Sequence, residues 1–350
     1  MKLFDLLNTT RCGNLFNSEM NTWYKRSAYR TNVKMSLTRR QSAWVQNPSE
    51  TTRSAFSSGR ILTNSTNFKN WLVGVADGNG TFYFAKTKNG SWTFGFLISQ
   101  SPYNLKMLHY IKSQLKVGQI QVEKNCEMAK FRIRRQEHIL LKILPIFDEF
   151  PLLTSKQFDY DLFKKAILIN NDLTLCKDEK DLRLESLLIK KKRGPSVGYK
   201  SRAWFDQAIS SLTKETVSGV MSKAWLVGFT ESKGSFYIVK KDAKRMSHAF
   251  EITQKKEDQI VLKAISLILD ANFQVKQTHA SVNTTNKKSI DFIVVYFQKT
   301  MKGVKSLEFS IWSRSFRKRK RGFDYLRQIQ TKMRNIRSIR FDKNCEKVRK

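Results

Sequence analysis

The alternation of apolar and polar residues along the chain predicts a series of short helices and strands. A helix is predicted over 68–77, and a glycine turn leads from it into TFYFAK (81–86), which alternates as a strand does. Asn89-Gly90 is typical of a hairpin turn, after which SWTFGFLISQ (91–100) forms the returning strand. Apolar residues at helical spacing then predict a helix over 104–115.

The same order of elements is predicted again in the second half of the chain. A helix over 221–231, strands SFYIVKK (235–241) and HAFEITQ (248–254), and a helix over 258–269 follow one another. Each half also contains a second predicted hairpin. It pairs QIQVE with AKFRIRR in the first half and FQVKQTH (273–279) with IDFIVVYF (290–297) in the second. With further helix at its end, each half is predicted to be αββαββα, an α+β fold with two four-stranded antiparallel sheets.

A direct repeat supports this duplication. WLVGVADGNGTFYF (71–84) and WLVGFTESKGSFYI (225–238) share their first four letters, and their Trp, Gly, Phe and Tyr residues recur 154 positions apart. Self-similarity of this kind indicates two copies of one structural unit. We therefore expect a monomer with an internal pseudo-twofold axis, whose repeats span 66–180 and 215–335 with a basic linker over 181–214.

The two ends of the chain are predicted to lie outside these repeats. Residues 336–350 are interpreted as a basic tail, and residues 1–65 as a poorly ordered extension. The first 40 residues hold eight Lys or Arg and only two acids, a composition typical of an organellar transit segment. The alternative is a basic tail of a protein made inside the organelle. Both interpretations place the protein in a mitochondrion or chloroplast.

The charge of the chain predicts a polyanionic partner. With 65 Lys and Arg against 29 Asp and Glu, the net charge is +36, far above what solubility requires. Nucleic acid is the first candidate, because neutralising phosphates releases counterions and drives binding. An anionic membrane is the alternative, but the sequence shows no long basic amphipathic helix and no stretch of about 18 apolar residues. We therefore expect no membrane partner.

Cysteine and histidine give no sign of a disulfide framework or a zinc site. The four cysteines form no CxxC pair and the four histidines are scattered, so the ligand spacings that zinc needs are missing. No tightly bound cofactor is expected.

One face of the predicted first sheet is suited to nucleic acid. In AKFRIRR, Phe131 and Ile133 alternate with Lys130, Arg132 and Arg134. Arg and Gln pair bidentately with guanine and adenine edges, which favours base recognition over a merely solvated face. The predicted nucleic-acid-binding residues are Gln119, Gln121, Lys130, Arg132, Arg134, Lys86, Lys240 and Lys241.

The two repeated stretches resemble a known motif. LVGVADGNG (72–80) and LVGFTESKG (226–234) are similar to the LAGLIDADG motif, and two copies in one chain resemble the monomeric LAGLIDADG homing endonucleases. FLISQ, FEITQ, PLLTSK and TMKGVKSLEFSIW resemble later segments of that family, and the resemblance covers about 66–335. It implies a basic saddle of two sheets and a pseudo-twofold helix pair packed through Gly74 and Gly228.

The resemblance also assigns active-site positions, two of which are substituted here. The family's supporting glutamines and lysines correspond to Gln100, Gln254, Lys156 and Lys305. Its metal-binding acids, just before the last motif glycine, correspond to Asn79 and Lys233. Hard cations such as Mg²⁺ need anionic oxygen, and two-metal cleavage needs a carboxylate from each half. Asp77 and Glu231, two residues earlier, are expected to fix the helix interface, with a role as metal ligands as the alternative.

Three functions remain open from the sequence. The first is a DNA- or RNA-binding member of the family whose cleavage is lost or impaired, including an intron-splicing maturase. The second is an active homing endonuclease that cuts a long asymmetric DNA site at a group I intron insertion point, using Mg²⁺. The third is a recruited rRNA-binding protein of an organellar ribosome.

Overall fold

The computed structural model of the chain describes residues 64–123 and 127–349, so nearly all of the predicted N-terminal extension lies outside the described residues. The first half contains α1 Asn64–Asn79, β1 Gly80–Lys86, β2 Trp92–Gln100, α2 Leu105–Leu115, β3 Gln119–Val122, β4 Ala129–Ile133, α3 Leu144–Glu149, α4 Lys156–Asn171 and α5 Lys177–Arg193. The second half contains α6 Lys214–Val220, α7 Lys223–Lys233, β5 Gly234–Lys240, β6 Met246–Lys255, α8 Gln259–Leu269, β7 Asn272–Val275, β8 His279–Thr284, α9 Lys287–Tyr296, α10 Lys305–Arg317 and α11 Phe323–Arg349.

Each half contains one four-stranded antiparallel sheet, as predicted. The strand orders are β1-β2-β4-β3 and β5-β6-β8-β7, so the two sheets have the same topology. In each sheet the helix-facing side buries aromatic and branched residues, with Phe82, Phe96 and Phe131 in the first and Phe236, Phe250 and Val282 in the second. The opposite side is the polar face that alternation predicts.

The pair of helices α1 and α7, which carry the repeated stretches, joins the two halves. A Cβ placed on Gly74 would lie 2.0 Å from the backbone oxygen of Trp225, and one on Gly228 would lie 2.1 Å from that of Trp71. Only glycine permits this approach, because any side chain would overlap the backbone of the facing helix. Each helix ends directly at the first strand of its own sheet, so the two helix ends and the two sheets meet at one place.

The prediction of a strand over 290–297 is wrong. IDFIVVYF was expected to pair with FQVKQTH, whereas residues 287–296 form helix α9 and β7 pairs with β8 instead. The buried residues Ile290, Ile293, Val294 and Phe297 fall at helical spacing, three and four positions apart. Packing of this apolar stripe therefore outweighs the strand preference of the β-branched residues.

The segment predicted as a basic linker, 181–214, is largely structured. Its first part belongs to helix α5, which ends at Arg193. Trp204 is fully buried, and its indole nitrogen donates to the carbonyl oxygen of Leu153 at 2.9 Å. The connection between the repeats is therefore packed against the first half.

The C-terminal part of the chain is helical as far as Arg349. Helix α11 is 27 residues long and rich in Lys and Arg. Leu326 and Met333 are buried, and the side chain of Gln330 donates to the carbonyl oxygen of Ile238 at 2.6 Å, which docks the helix on strand β5. Among the described residues, no helix has the combined length and apolar character of a membrane span.

Candidate functional site

Asp77 lies at the end of helix α1 and is fully buried. Its Oδ1 accepts hydrogen bonds from the backbone nitrogen and the hydroxyl of Thr154, at 3.0 and 2.6 Å. Its Oδ2 accepts from the backbone nitrogen of Leu153 at 2.8 Å and from the indole nitrogen of Trp225, in the other half, at 2.7 Å. Burial raises the pKa of Asp77 to about 6, against the lowering effect of these four donors.

Glu231 occupies the equivalent place at the end of helix α7, and its contacts mirror those of Asp77. Its Oε1 accepts from the backbone nitrogens of Lys302 and Gly303, at 2.8 and 2.6 Å. Its Oε2 accepts from the indole nitrogen of Trp71, again from the other half, at 2.7 Å. Burial likewise raises the pKa of this carboxyl group.

These contacts show the role of Asp77 and Glu231, which lie two residues before Asn79 and Lys233. Both are held by donors that use both of their oxygens, and the exposed fractions of Asp77 and Glu231 are 0 % and 1 %. A metal ion would have to displace buried hydrogen bonds to reach them. The alternative in which Asp77 and Glu231 are the metal ligands is therefore inconsistent with the structure.

The loops that these acids hold lead directly into the helices carrying the two predicted lysines. Lys156, at the start of α4, donates to the carbonyl oxygens of Ala76, Gly78 and Gly80 at 3.0, 3.1 and 2.8 Å. Lys305, at the start of α10, donates to the carbonyl oxygen of Gly234. Both lysines thus reach the junction between a repeated helix and its following strand.

A second pair of cross-half contacts holds these lysine-bearing helices. The side chain of Asn104 accepts from the backbone nitrogen of Val304 at 2.9 Å, and Asp258 accepts from that of Ser155 at 2.6 Å. Asn104 and Asp258 are again 154 positions apart. Neither they nor the paired tryptophans received a role from the sequence, although this constant separation is a signal that could have found them.

The positions of the two family metal acids lie beyond these buried contacts. Asn79 and Lys233 are the last residues of α1 and α7, and both are partly exposed. An amide oxygen is a weak ligand for a hard cation, and an ammonium group repels one. Among the residues that the structure describes, no group of three or more His, Cys, Asp or Glu could hold a metal ion. The residues at these helix ends do not fit Mg²⁺.

The predicted glutamine of the first half and lysine of the second half lie together. Gln100, Lys305 and Ser232 line one cavity of about 520 Å³ beside the end of helix α7. The side-chain nitrogen of Gln100 is buried and has no hydrogen-bond partner within the described part of the chain. Glu308, one helical turn after Lys305, also lines this cavity and is buried. Gln254 lies near the end of β6 and is partly exposed.

The predicted nucleic-acid-binding residues divide between the two sides of the sheets. Gln119 and Gln121 are exposed on β3, and they pair in register with Arg132 and Lys130 on β4. Lys130 also forms an ion pair with Glu123. Arg134 follows β4 and donates to the hydroxyl of Tyr83 at 3.2 Å.

Lys86 and Lys240 lie elsewhere. They alternate in step with the buried residues of β1 and β5, which turns them toward the helical side. Lys86 forms ion pairs with Asp181 and Glu185 of α5, at 3.1 and 2.8 Å, and Lys240 lies over the ring of Phe323 in α11. Lys241 is exposed at the tip of the β5–β6 hairpin.

The polar faces of the two sheets differ in chemistry. The face of the first sheet includes Lys130 and Arg132 together with two glutamines. The equivalent positions of the second sheet hold amides and a hydroxyl, because Asn272 pairs with Asn283 and Gln274 pairs with Ser281. The strand pair β3–β4 therefore carries basic side chains where the pair β7–β8 carries uncharged ones, and the pseudo-twofold symmetry does not extend to these side chains.

Comparison with known proteins supports a single family. The model of the LAGLIDADG endonuclease family matches residues 72–167 and 226–316, once in each half. A probable intron-encoded endonuclease, Cox1-I1b of Schizosaccharomyces pombe, is 37% identical over 285 residues, which cover 78% of this chain and 70% of that protein. The uncharacterized mitochondrial protein RF1 of Saccharomyces cerevisiae is 25% identical over 246 residues, and the match spans about half of it, 48%.

Solved structures agree in fold. The I-LtrWI LAGLIDADG homing endonuclease, determined with its target DNA, superposes with a TM-score of 0.62 and 21% identity, covering 78% of this chain and 97% of that one. The shared fold, the two matches to the family and the paired helices with their buried, mirrored acids lead to one conclusion. The chain belongs to the LAGLIDADG endonuclease family, as a monomeric member with two motifs.

Proposed function

We propose that the protein binds duplex DNA on the polar faces of its two sheets and that its phosphodiester cleavage is lost or impaired. The net charge of +36 supplies the attraction for a polyanion. The exposed Gln and Arg side chains of β3 and β4 and the amides of β7 and β8 supply groups that can pair with base edges. The two different faces would bind the two halves of an asymmetric site.

One observation carries the loss of cleavage. The helix ends present Asn79 and Lys233 at the two positions where metal-dependent cleavage requires carboxylates. The nearest acids on the same helices, Asp77 and Glu231, are buried and committed to Trp225, Trp71 and the loop nitrogens. The scaffold that positions such a site is intact, whereas the anionic oxygens are missing.

The names of the relatives support the choice of ligand and location. I-LtrWI was solved bound to target DNA, and I-AabMI, with a TM-score of 0.62, was solved bound to uncleaved DNA. Two curated relatives are a probable intron-encoded endonuclease and a mitochondrial protein. On this basis we also propose that the protein acts in mitochondria, at or near an intron insertion site.

The test is a selection of bound duplexes from a random library, followed by a cleavage assay on the selected sequence with Mg²⁺. We expect binding without cleavage by the protein as it stands. Asn79→Asp combined with Lys233→Glu replaces both substituted positions with carboxylates and is expected to confer Mg²⁺-dependent nicking. Cleavage by the unmodified protein would instead establish an active homing endonuclease.

An RNA ligand is distinguished by a separate experiment. Crosslinking the protein in its native cells and sequencing the recovered nucleic acid would give a DNA locus under the proposal. Recovery of intron RNA would overturn it in favour of a maturase, and recovery of rRNA together with ribosomes would favour a ribosomal role.

A further inference from the structure

Three lysines meet at the ends of the repeated helices, and two of them are committed to the protein itself. Lys156 donates to three carbonyl oxygens, those of Ala76, Gly78 and Gly80. An ammonium group has three hydrogens, so these bonds use its full donor capacity. Lys305 donates to the carbonyl oxygen of Gly234, the equivalent of Gly80 in the other half. These contacts stabilise the two helix–strand junctions.

Lys233 differs from both. It is partly buried at the end of α7, and within the described part of the chain its ammonium group takes part in no hydrogen bond or ion pair. Burial lowers its pKa, and no neighbouring carboxylate offsets that effect. Its charge is therefore uncompensated.

The side chain of Lys233 also crosses toward the other half. A Cβ placed on Gly78 would lie 3.5 Å from Cγ of Lys233, so the lysine stem runs along the end of helix α1. Lys156 donates to the carbonyl oxygen of Gly78 at 3.1 Å, so both lysines reach the same residue at the end of α1. Two neighbouring cations with one of them unpaired form a ready site for an anion.

We propose that Lys233 binds a backbone phosphate of the bound nucleic acid between the two helix ends, so that binding there needs no divalent cation. This inference rests on the proposed function, because the phosphate belongs to the nucleic acid held on the sheets. The ammonium group of Lys233 would supply the positive charge at the position where the resemblance places a metal-binding acid. Asn79, partly exposed at the end of α1, has a side-chain amide that could donate an uncharged hydrogen bond to the same phosphate.

A purely structural role makes a different prediction. A lysine in the last turn of a helix interacts favourably with the helix dipole and contributes to stability alone. Replacing it would then lower the stability of the protein without changing how the protein binds nucleic acid. The two roles are separated by a measurement of binding as a function of salt.

The experiment uses the full chain and a fluorescent random-sequence DNA duplex, with binding followed by anisotropy across a salt series. Wild-type affinity is expected to be the same in EDTA and in Mg²⁺. Lys233→Gln is expected to weaken binding several-fold and to reduce the salt slope by about 0.9, the value for one phosphate contact. Lys263→Gln is the control, since that lysine is also partly buried but lies over the ring of Phe273 on the helical side.

A charge-reversed variant gives the second readout. Lys233→Glu should bind poorly in EDTA and recover in Ca²⁺, since a carboxylate at the helix end creates a ligand for a hard cation. If Lys233→Gln binds with the same affinity and salt slope as Lys263→Gln, the phosphate contact is refuted while the proposed function stands. If the wild-type protein binds no duplex at all, both are refuted.

Discussion

The indole nitrogen of Trp225 donates a hydrogen bond across the helix pair to Oδ2 of Asp77, at 2.7 Å. The carboxylate is fully buried, so no water can take the place of this donor. Trp225→Phe should therefore lower the free energy of unfolding at pH 7.5 by about 1.5–3 kcal/mol, the range for a hydrogen bond to a buried charged group. Urea denaturation measures the change.

A matched control for this prediction lies on the surface of the first half. The indole nitrogen of Trp92 also donates to a carboxylate, that of Asp181, at 2.7 Å, but both residues are partly exposed. Because water can replace this donor, Trp92→Phe should cost less than about 1 kcal/mol. Equal losses in the two variants would contradict a special role for the buried pair.

The raised pKa of Asp77 predicts a pH dependence of stability. The folded protein holds the proton of this carboxyl up to a pH of about 6, whereas the unfolded chain loses it near 3.8. The contribution of Asp77 to the free energy of unfolding is therefore fully present below pH 3.8 and falls as the pH rises to about 6. The fall corresponds to about 3 kcal/mol, because one pKa unit equals about 1.36 kcal/mol.

The measurement compares wild type with Asp77→Asn, in which this titration is absent. The difference between their free energies of unfolding should change over this pH window and be constant outside it. Glu231 also has a raised pKa, but it is present in both proteins and cancels in the comparison. Parallel pH curves for the two proteins would show that Asp77 does not titrate in this way.

The glycine contact between the helices predicts a large effect of a single methyl group. Gly74→Ala places a Cβ 2.0 Å from the backbone oxygen of Trp225, so the helices must separate, and we expect a loss of about 3 kcal/mol or more. Gly219→Ala is the control, since that glycine lies in helix α6 with open space around it and should gain about 0.5–1 kcal/mol. Thermal and urea denaturation compare the two, and a tolerated Gly74→Ala would argue against close helix contact.

The different polar faces of the two sheets predict a site with two different halves. Arg132 of the first sheet pairs best with guanine, and Asn283 of the second pairs best with adenine. Sequences selected from a random duplex library should hold guanine in one half and adenine in the other, each preference being worth about 1–3 kcal/mol.

Variants assign the halves of the site to the sheets. Arg132→Ala should relax the base preference in one half only, and Asn283→Ala in the other half only, so each variant serves as the control for the other. Loss of preference in both halves from either change would show that the sheets do not bind separate half-sites.

Much of the fold follows from local patterns in the sequence. The glycine in Asn89-Gly90 has φ of 75°, and this left-handed conformation is the one that its hairpin turn requires. The failure at IDFIVVYF has a definite cause, because four β-branched residues favour a strand locally while burial of Ile290, Ile293 and Val294 selects a helix. Only the packing of the complete half decides between them.

The candidate site was accessible from the sequence only where a segment resembles the family. The motif supplied Asn79 and Lys233, and the later segments supplied the glutamines and lysines, including Gln100 and Lys305. The contacts of Trp71 with Glu231 and of Asn104 with Val304 depend on how two distant segments meet, which no local pattern contains. For the same reason the sequence did not show that Lys86 is held by Asp181 and Glu185 of α5.

The mirrored tryptophan–carboxylate bonds have a consequence for the history of the chain. A tryptophan of each half donates a hydrogen bond to the buried acid of the other half. Substitution of Asp77, Glu231 or either tryptophan should therefore lower the free energy of unfolding, whatever the function of the protein. Asn79 and Lys233 lie only two residues further along, yet no described hydrogen bond or ion pair depends on them. The requirement to fold therefore preserves the framework of the helix pair, whereas it leaves the two positions beside that framework open to substitution.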